Sequence, residues 1–217
     1  MKDSARDRPT IANVLATYIR THAAKPPARG QDIPADVNAA FTVLVTRDAP
    51  GDADPALDLH AIRLPRAEPI PVTAASAAGD AFVNLSGANL SYADLTGARH
   101  FEADLSNADL AEANLFEARL KGADLSGADL SDVDLYGADL SRADLSFARL
   151  SGANLADANL TGASMIGVNL AGTDLTGTDL TGVDLISSDL RRAEGLTRKQ
   201  VDSARTDGMT LLPSGLS

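Results

Sequence analysis

The sequence predicts a parallel β-solenoid flanked by short helical segments, and three observations carry that prediction. Leu recurs every five residues from Leu85 to Leu190; of the 22 positions in this phase 20 are Leu, the exceptions being His100 and Met165. A small residue stands two places before each centre, as at Ala88, Ala93, Ala98 and Ala103, with Val, Thr or Ser as variants. Aromatic residues are only 4% of the chain and Trp is absent, yet 44% is apolar, mostly Ala and Leu. A core built from those residues has to be narrow and regular.

A five-residue period suits neither ordinary element. On a helix, five steps of about 100° carry successive Leu side chains around the whole surface. A flat strand needs a period of two. The pattern fits a coil whose repeats are each a short extended side followed by a corner. Leu and the small residue point inward; the Asp or Asn before Leu and the two residues after it point outward. Gly fills the second place after the centre in 11 of the 22 repeats, for example Gly87, Gly127 and Gly177, and tolerates the positive φ of a corner. Neighbouring coils then pair as parallel strands ~4.8 Å apart. Ala, Asp, Asn and Gly are poor strand formers, so stacking has to build the structure.

The run Ala-Asp-Leu-Ser-Gly-Ala-Asp-Leu over residues 123–130 resembles the pentapeptide-repeat family, whose unit is A(D/N)LXX. The match runs through half the chain without a break in phase. The resemblance implies an all-β, right-handed quadrilateral parallel β-helix with four repeats per coil. At strand spacing that is roughly 5.5 coils and a rod about 26 Å long.

Four segments follow. Residues 1–56 read as a helical leader or N-terminal cap. Ile11, Val14, Leu15, Tyr18 and Ile19 carry helical spacing, and Val37, Phe41, Leu44 and Val45 repeat it after Pro34. The stretches Arg8–Ile11 and Asp36–Ala40 are similar to the helical leader of actinobacterial members of the family, in a short form. Residues 57–82 read as a degenerate coil, with Leu59 and Leu64 five apart, followed by a Pro/Ala-rich insertion. Residues 83–195 are the solenoid. Residues 196–217 read as a C-terminal cap helix and tail. Thr197 and Gln200 have capping-box spacing, and Gly208 and Pro213 are expected to end the helix. Val201, Met209, Leu211 and Leu212 finish that cap or form a dimer contact. Gyrase-binding members of the family dimerise through this end, so the resemblance suggests a homodimer there.

Charge and composition exclude several classes. Net charge is −11, and residues 83–195 hold all of the excess, with 18 acidic and 7 basic residues. A direct nucleic-acid binder shows the opposite sign; an acidic surface suits basic partners or serves solubility. With no cysteine, disulfides and thiolate metal sites are ruled out. No run of about 18 apolar residues spans a membrane, and the N-terminus lacks a signal-like apolar stretch. A soluble, cytoplasmic protein is expected.

Nothing in the sequence points to catalysis or a cofactor. His22, His60 and His100 have no second ligand at metal spacing; His100 reads as a layer-filling residue. No phosphate-binding loop or nucleophile motif is present. The outward columns are more informative, because four repeats per coil stack residues 20 apart. Asp104, Asp124 and Asp144 form one acidic column, with Asp94, Asp134 and Asp174 on the opposite face. Asp109, Glu112, Asp129 and Asp132 lie on a third face, while Arg99, Arg119, Lys121 and Arg142 make the fourth basic in its first half. Phe116 and Tyr136 stack at equivalent outward positions, flanked by Asp134 and Glu117. Phe147, Ile166 and Ile186 make a sparser apolar line. Such columns are either a solvated surface inherent to the repeat or a binding face. Two functions stand open: a non-enzymatic scaffold offering an acidic face to a protein partner, or a DNA mimic that binds DNA gyrase or another type II topoisomerase and confers quinolone or self-resistance. The second is what the resemblance implies of some members.

Overall fold

The computed structural model describes residues 8–22, 37, 40, 59, 62, 85–98 and 103–216. Parallel bridges join residues 20 apart, from Asn89↔Asp109 through Asn169↔Asp189 and Asp174↔Glu194. One coil therefore holds four five-residue sides. We number them by their inward Leu: side 1 carries Leu105, Leu125 and Leu145, side 2 Leu90, Leu110 and Leu130, side 3 Leu95, Leu115 and Leu135, and side 4 Leu120, Leu140 and Leu160. The bridges are single pairs because the chain turns after every side.

The repeat is explained by where its backbone donors go. In the repeat 123–127, Asp124 N donates to Ala103 O of the coil below (2.9 Å), Leu125 N to Asp144 O of the coil above (2.7 Å), and Gly127 N to Ser146 O (2.9 Å). The next residue, Ala128, closes the corner by donating to Leu125 O (3.1 Å). That leaves the N–H of Ser126, which reaches no carbonyl. It is taken by Asp124 Oδ1 at 2.9 Å. Every described Asp or Asn before a centre does the same, an Asx turn repeated along the rod. Those side chains do point outward, as expected, but one oxygen of each belongs to the backbone.

The corner is more demanding than its glycines suggest. Every described second-after-Leu residue from 87 to 187 has positive φ, among them Tyr92, Glu112, Asp132, Arg142 and Phe147. With the i+3 to i hydrogen bond this is the pattern of a type II turn. Gly is thus the low-strain choice at a position that every repeat places in the left-handed region. At Gly195 the backbone also has no room: a Cβ there would lie 2.7 Å from Thr176 N.

The interior is two interleaved sets, the Leu layer and the small-residue layer, both essentially closed to solvent. Each buried Leu contributes about 1.5–3 kcal/mol before entropy. Polar side chains enter it late in the rod, at Thr173, Thr178 and Ser188. Each hydroxyl is satisfied by a carbonyl one coil back: Thr173 on Leu150 O (2.7 Å), Thr178 on Leu155 O (2.8 Å), Ser188 on Met165 O.

At the start of the rod, α1 (Arg8–His22) buries Ala16 and Ile19 in the same cluster as Val37, Leu59 and Ile62. Leu59 N donates to Asn89 O (2.7 Å), and Asp94 N donates to Ile62 O (2.7 Å). Those are the bonds of a centre and of the next small position. Leu59 is therefore an inward centre one coil before Leu90, 31 residues earlier instead of 20. Leu64, also expected there, and the insertion at 65–82 lie outside the described residues.

At the other end, α2 (Arg198–Ser203) has the capping box expected of Thr197 and Gln200. Gln200 Nε2 also donates to Leu175 O (2.8 Å) and Thr178 O (3.0 Å) of the last coil. The helix does not run on to Gly208. It stops at Ser203, because Arg205 joins the ladder: its N–H donates to Val183 O (2.7 Å) and its carbonyl accepts from Leu185 N (2.8 Å). Leu211 pairs likewise with Ser188 O and Leu190 N. Asp207 anchors the loop between them, accepting from Ser187 N, Met209 N and Thr210 Oγ1. Those bonds, Ser187 foremost, hold its carboxyl below the usual carboxylate value.

Three outcomes follow from this architecture. Leu130→Ala, in mid-rod and fully buried, is expected to destabilise by about 2–5 kcal/mol in denaturant melts, and Leu130→Asp to abolish cooperative unfolding altogether. Gly195→Ala should lower stability by about 1–3 kcal/mol, whereas Gly87→Ala, with open space at its Cβ, pays only the φ strain and should lower it less. Asp174, Asp179, Asp189 and Asp207 all titrate below their ordinary value. Their stabilisation is full above the unfolded carboxylate value of about 3.9 and is lost as pH falls through the lower folded values. Limited proteolysis of the tail should therefore be slow at pH 7 and accelerate below about pH 4.

Candidate protein-interaction surface

Once sides are assigned, the outward residues sort into four unlike faces. Side 1 carries Asp104, Asp124 and Asp144, bridged in sequence and then continued by Ser164 and Asp184. Asp184 pairs with Arg205 at 3.1 Å. Side 2 carries Asp109 and Asp129, then changes sign at Arg149, which reaches Asp129 at 3.4 Å. Side 4 holds Arg119, Lys121 and Arg142; Arg99 lies outside the described residues.

Like the repeats of side 1, side 3 carries no outward Lys or Arg, from Asp94 to Glu194; unlike side 1, whose column ends on Arg205, it stays so to its end. Asp94, Asp134 and Asp174 alternate with Asn114 and Asn154 in one column. Where the column has Asn, the corner residue three places on is an acid, Glu117 or Asp157; where it has Asp, the corner is Gly97, Gly137 or Gly177. The face therefore bears one carboxylate per coil in a zigzag. The alternation also eases repulsion, since Asn154 Nδ2 donates to Asp134 Oδ1 at 3.0 Å. The Asn159 amide does the same for Asp139 on side 4 at 3.3 Å.

Phe116 and Tyr136 sit on side 3 with centroids 5.4 Å apart and planes 8° from parallel, a stacked pair. Phe116 is half-buried and Tyr136 is 37% exposed. The Tyr136 hydroxyl donates to Asp157 Oδ2 at 2.8 Å, which raises the phenol above its usual value. Asp157 was not singled out by the sequence pattern. It stands 21 residues on, one place off the 20-residue column, and only the corner geometry brings its carboxylate to the hydroxyl.

The tail residues divide. Val201 is buried and Leu212 packs on the core, whereas Met209 is 68% exposed and Leu211 half-exposed in the terminal ladder pair. His60 and His100 lie outside the described residues. His22 Nδ1 donates to Tyr18 O within α1 (2.9 Å), and the two rings stack. Among the described residues no cluster of three His, Asp or Glu is placed to hold a metal ion, and no helix is long and apolar enough to cross a membrane.

Several solved structures are similar to this chain. A pentapeptide repeat protein from Nostoc Pcc 7120 is 39% identical over 48% of this chain and 84% of its own, with a TM-score of 0.42. HetL, a pentapeptide repeat protein involved in heterocyst differentiation regulation in Nostoc sp. strain PCC 7120, is 25% identical over 72% of this chain and 85% of its own, at 0.24. QnrB1, a plasmid-mediated fluoroquinolone resistance protein, is 22% identical over 71% and 77%, at 0.34. No curated protein matches. Pentapeptide repeats, in eight copies, match overlapping stretches that together run through residues 81–192, more than half of the sequence, and the chain belongs to the pentapeptide repeat family.

Proposed function

We propose that this protein is a non-enzymatic scaffold whose side 3 docks a basic protein partner. The observation that carries this is the unbroken acidity of side 3 around the Phe116–Tyr136 stack. A solenoid side is a flat, extended surface, and an exposed aromatic pair amid carboxylates gives a partner both an apolar anchor and cationic register. The same reading takes residues 1–56 as an N-terminal cap, 57–82 as a degenerate coil with its insertion, 83–195 as a right-handed quadrilateral rod, and 196–217 as a C-terminal cap. It needs no cofactor and places the protein in the cytoplasm.

The second reading is a DNA mimic that binds DNA gyrase. The carboxylate columns of side 1, Asp104, Asp124 and Asp144, and of side 2, Asp109 and Asp129, favour it together with side 3. Charge density opposes it. One carboxylate per coil is one charge per ~4.8 Å, whereas each strand of a DNA duplex carries one per ~3.4 Å. The cations of side 4 interrupt the field further.

Both readings are tested with substitutions that remove charge but keep the Asx acceptor. Asp→Lys would confound the two by also stripping the backbone of its cap. On the scaffold reading, partner capture at low salt is lost in Asp134→Asn/Asp157→Asn/Asp174→Asn with Glu117→Gln and persists in Arg119→Gln/Lys121→Gln, and gyrase supercoiling is unaffected by the protein. Micromolar inhibition of gyrase that disappears in Asp104→Asn/Asp124→Asn/Asp144→Asn would establish the mimic instead.

A further inference from the structure

Side 2 has a pattern that no other side shows: it complements itself when reversed end to end. Its six coils carry, at the first outward place after Leu, Ser91, Ala111, Ser131, Ser151, Ala171 and Arg191. Apart from the terminal pair, that column reads the same in both directions. The corner column is large in the first half, with Tyr92, Glu112 and Asp132, and glycine in the second; Gly152 is covered by the Asp132 carboxylate of the coil before it, whereas Gly172 is open. The ladder column is acidic at Asp109 and Asp129, turns positive at Arg149 and is neutral at Asn169.

We propose that two copies of this chain associate antiparallel through side 2, about a two-fold axis lying between the coils of Leu130 and Leu150. A two-fold interface presents the same patch from both sides, so each contact occurs twice. In this register Arg149, which already reaches Asp129 of its own chain at 3.4 Å, also faces the partner's Asp129, and Asp109 faces the partner's Asn169. Ala111 faces the partner's Ala171, and Ser131 the partner's Ser151, so nothing bulky holds the two flat faces apart. Glu112 lies over the open corner of the partner's Gly172, where no side chain stands. Tyr92, whose hydroxyl donates to Glu112 of its own chain at 2.8 Å, presents its ring to the partner's Arg192, a cation over an aromatic face.

The exposed aromatics support the same axis. Phe147 is 69% exposed on the corner between sides 1 and 2, its ring laid over Gly167 of the next coil. An antiparallel two-fold keeps that edge on the same flank in both copies. It brings the two Phe147 side chains together within one coil spacing of the axis, where an apolar contact excludes most water. Tyr92, 59% exposed, lies at the far end of the same face. Side 3 stays open in this pair, so self-association does not compete with docking there. A single flat side is a small contact, so the dimer is transient and salt-sensitive.

Sedimentation velocity on the full chain tests this. Wild type at about 100 μM should dimerise in 50 mM salt and dissociate in 500 mM, as charge pairs are screened over that range. Asp129→Arg and Arg149→Glu should each weaken the dimer by about ten-fold or more; Asp129→Arg also gives up the acceptor of Ser131 N, a change the fold already carries at Arg119 and Arg149. An equimolar mixture of the two single variants should restore it, because each reversed charge then meets its opposite; that restoration also shows both variants are folded. Phe147→Ser should weaken the dimer while leaving the thermal melt unchanged. The proposal fails if wild type is monomeric at low salt. It fails equally if both charge variants dimerise like wild type, as a dimer through the C-terminal tail would, or if mixing restores nothing.

Discussion

One hydrogen bond repeats along most of the rod and sets what the rest can be: the N–H after Leu, held by the Asp or Asn side chain before it wherever the repeat carries one. Stacking satisfies four of the five backbone donors in a repeat, three through neighbouring coils and one through the corner. The fifth has no carbonyl in reach, and a buried or half-buried donor left open costs about 1–3 kcal/mol. A short side chain with a carbonyl-type oxygen is the available remedy, and Asp and Asn are the two that fit. The surface chemistry of the rod is thus a by-product of its backbone geometry. Wherever the remedy is Asp the coil gains a negative charge, and wherever it is Asn the acceptor comes without one.

That constraint changes how the acidic columns are read. Much of the negative charge on sides 1 and 2 is the ordinary result of choosing Asp for a structural task. The informative positions are those where the task does not dictate the residue. Glu117 and Asp157 are such positions, since the corner asks only for tolerance of positive φ and both are carried there as non-glycine residues. Their alternation with glycine on side 3, in step with Asp and Asn in the ladder column, is not required by any backbone donor. The same holds for Phe147 and Tyr92, bulky residues kept in a conformation that favours glycine.

Much of the architecture is legible in the sequence. The five-residue spacing of Leu and the small residue two before it fix which side chains face in, and the burial of Leu125 and Ala123 agrees with that. The stacking of Phe116 on Tyr136 follows from their 20-residue separation once four sides per coil are granted. Three things were hidden. The role of Asp124 depends on a count of donors and acceptors that the letters do not display. The contact between Tyr136 and Asp157 depends on how a corner residue leans across one coil. The early end of α2 depends on the last coil capturing Arg205, a tertiary event that outweighs the local helix signals running on to Gly208. The first coil was partly visible, since Leu59 suggested a centre, but its 31-residue offset from Leu90 cannot be seen without the bond to Asn89.

The register of the tail has a consequence for growth of the rod. Within the solenoid every bridge joins residues 20 apart, but Asp184 pairs with Arg205 and Asp189 with Leu211, at separations of 21 and 22. The terminal layer slips by one residue and then by two, with a loop pinned by Asp207 between them. A second rod arriving end-on would find no continuous row of donors and acceptors in the 20-residue rhythm to template against. Exposed parallel ladders are natural seeds for fibres. Here the chain terminates its own periodicity, so the fold that lends itself to indefinite extension is held to a finite length by a two-residue slip.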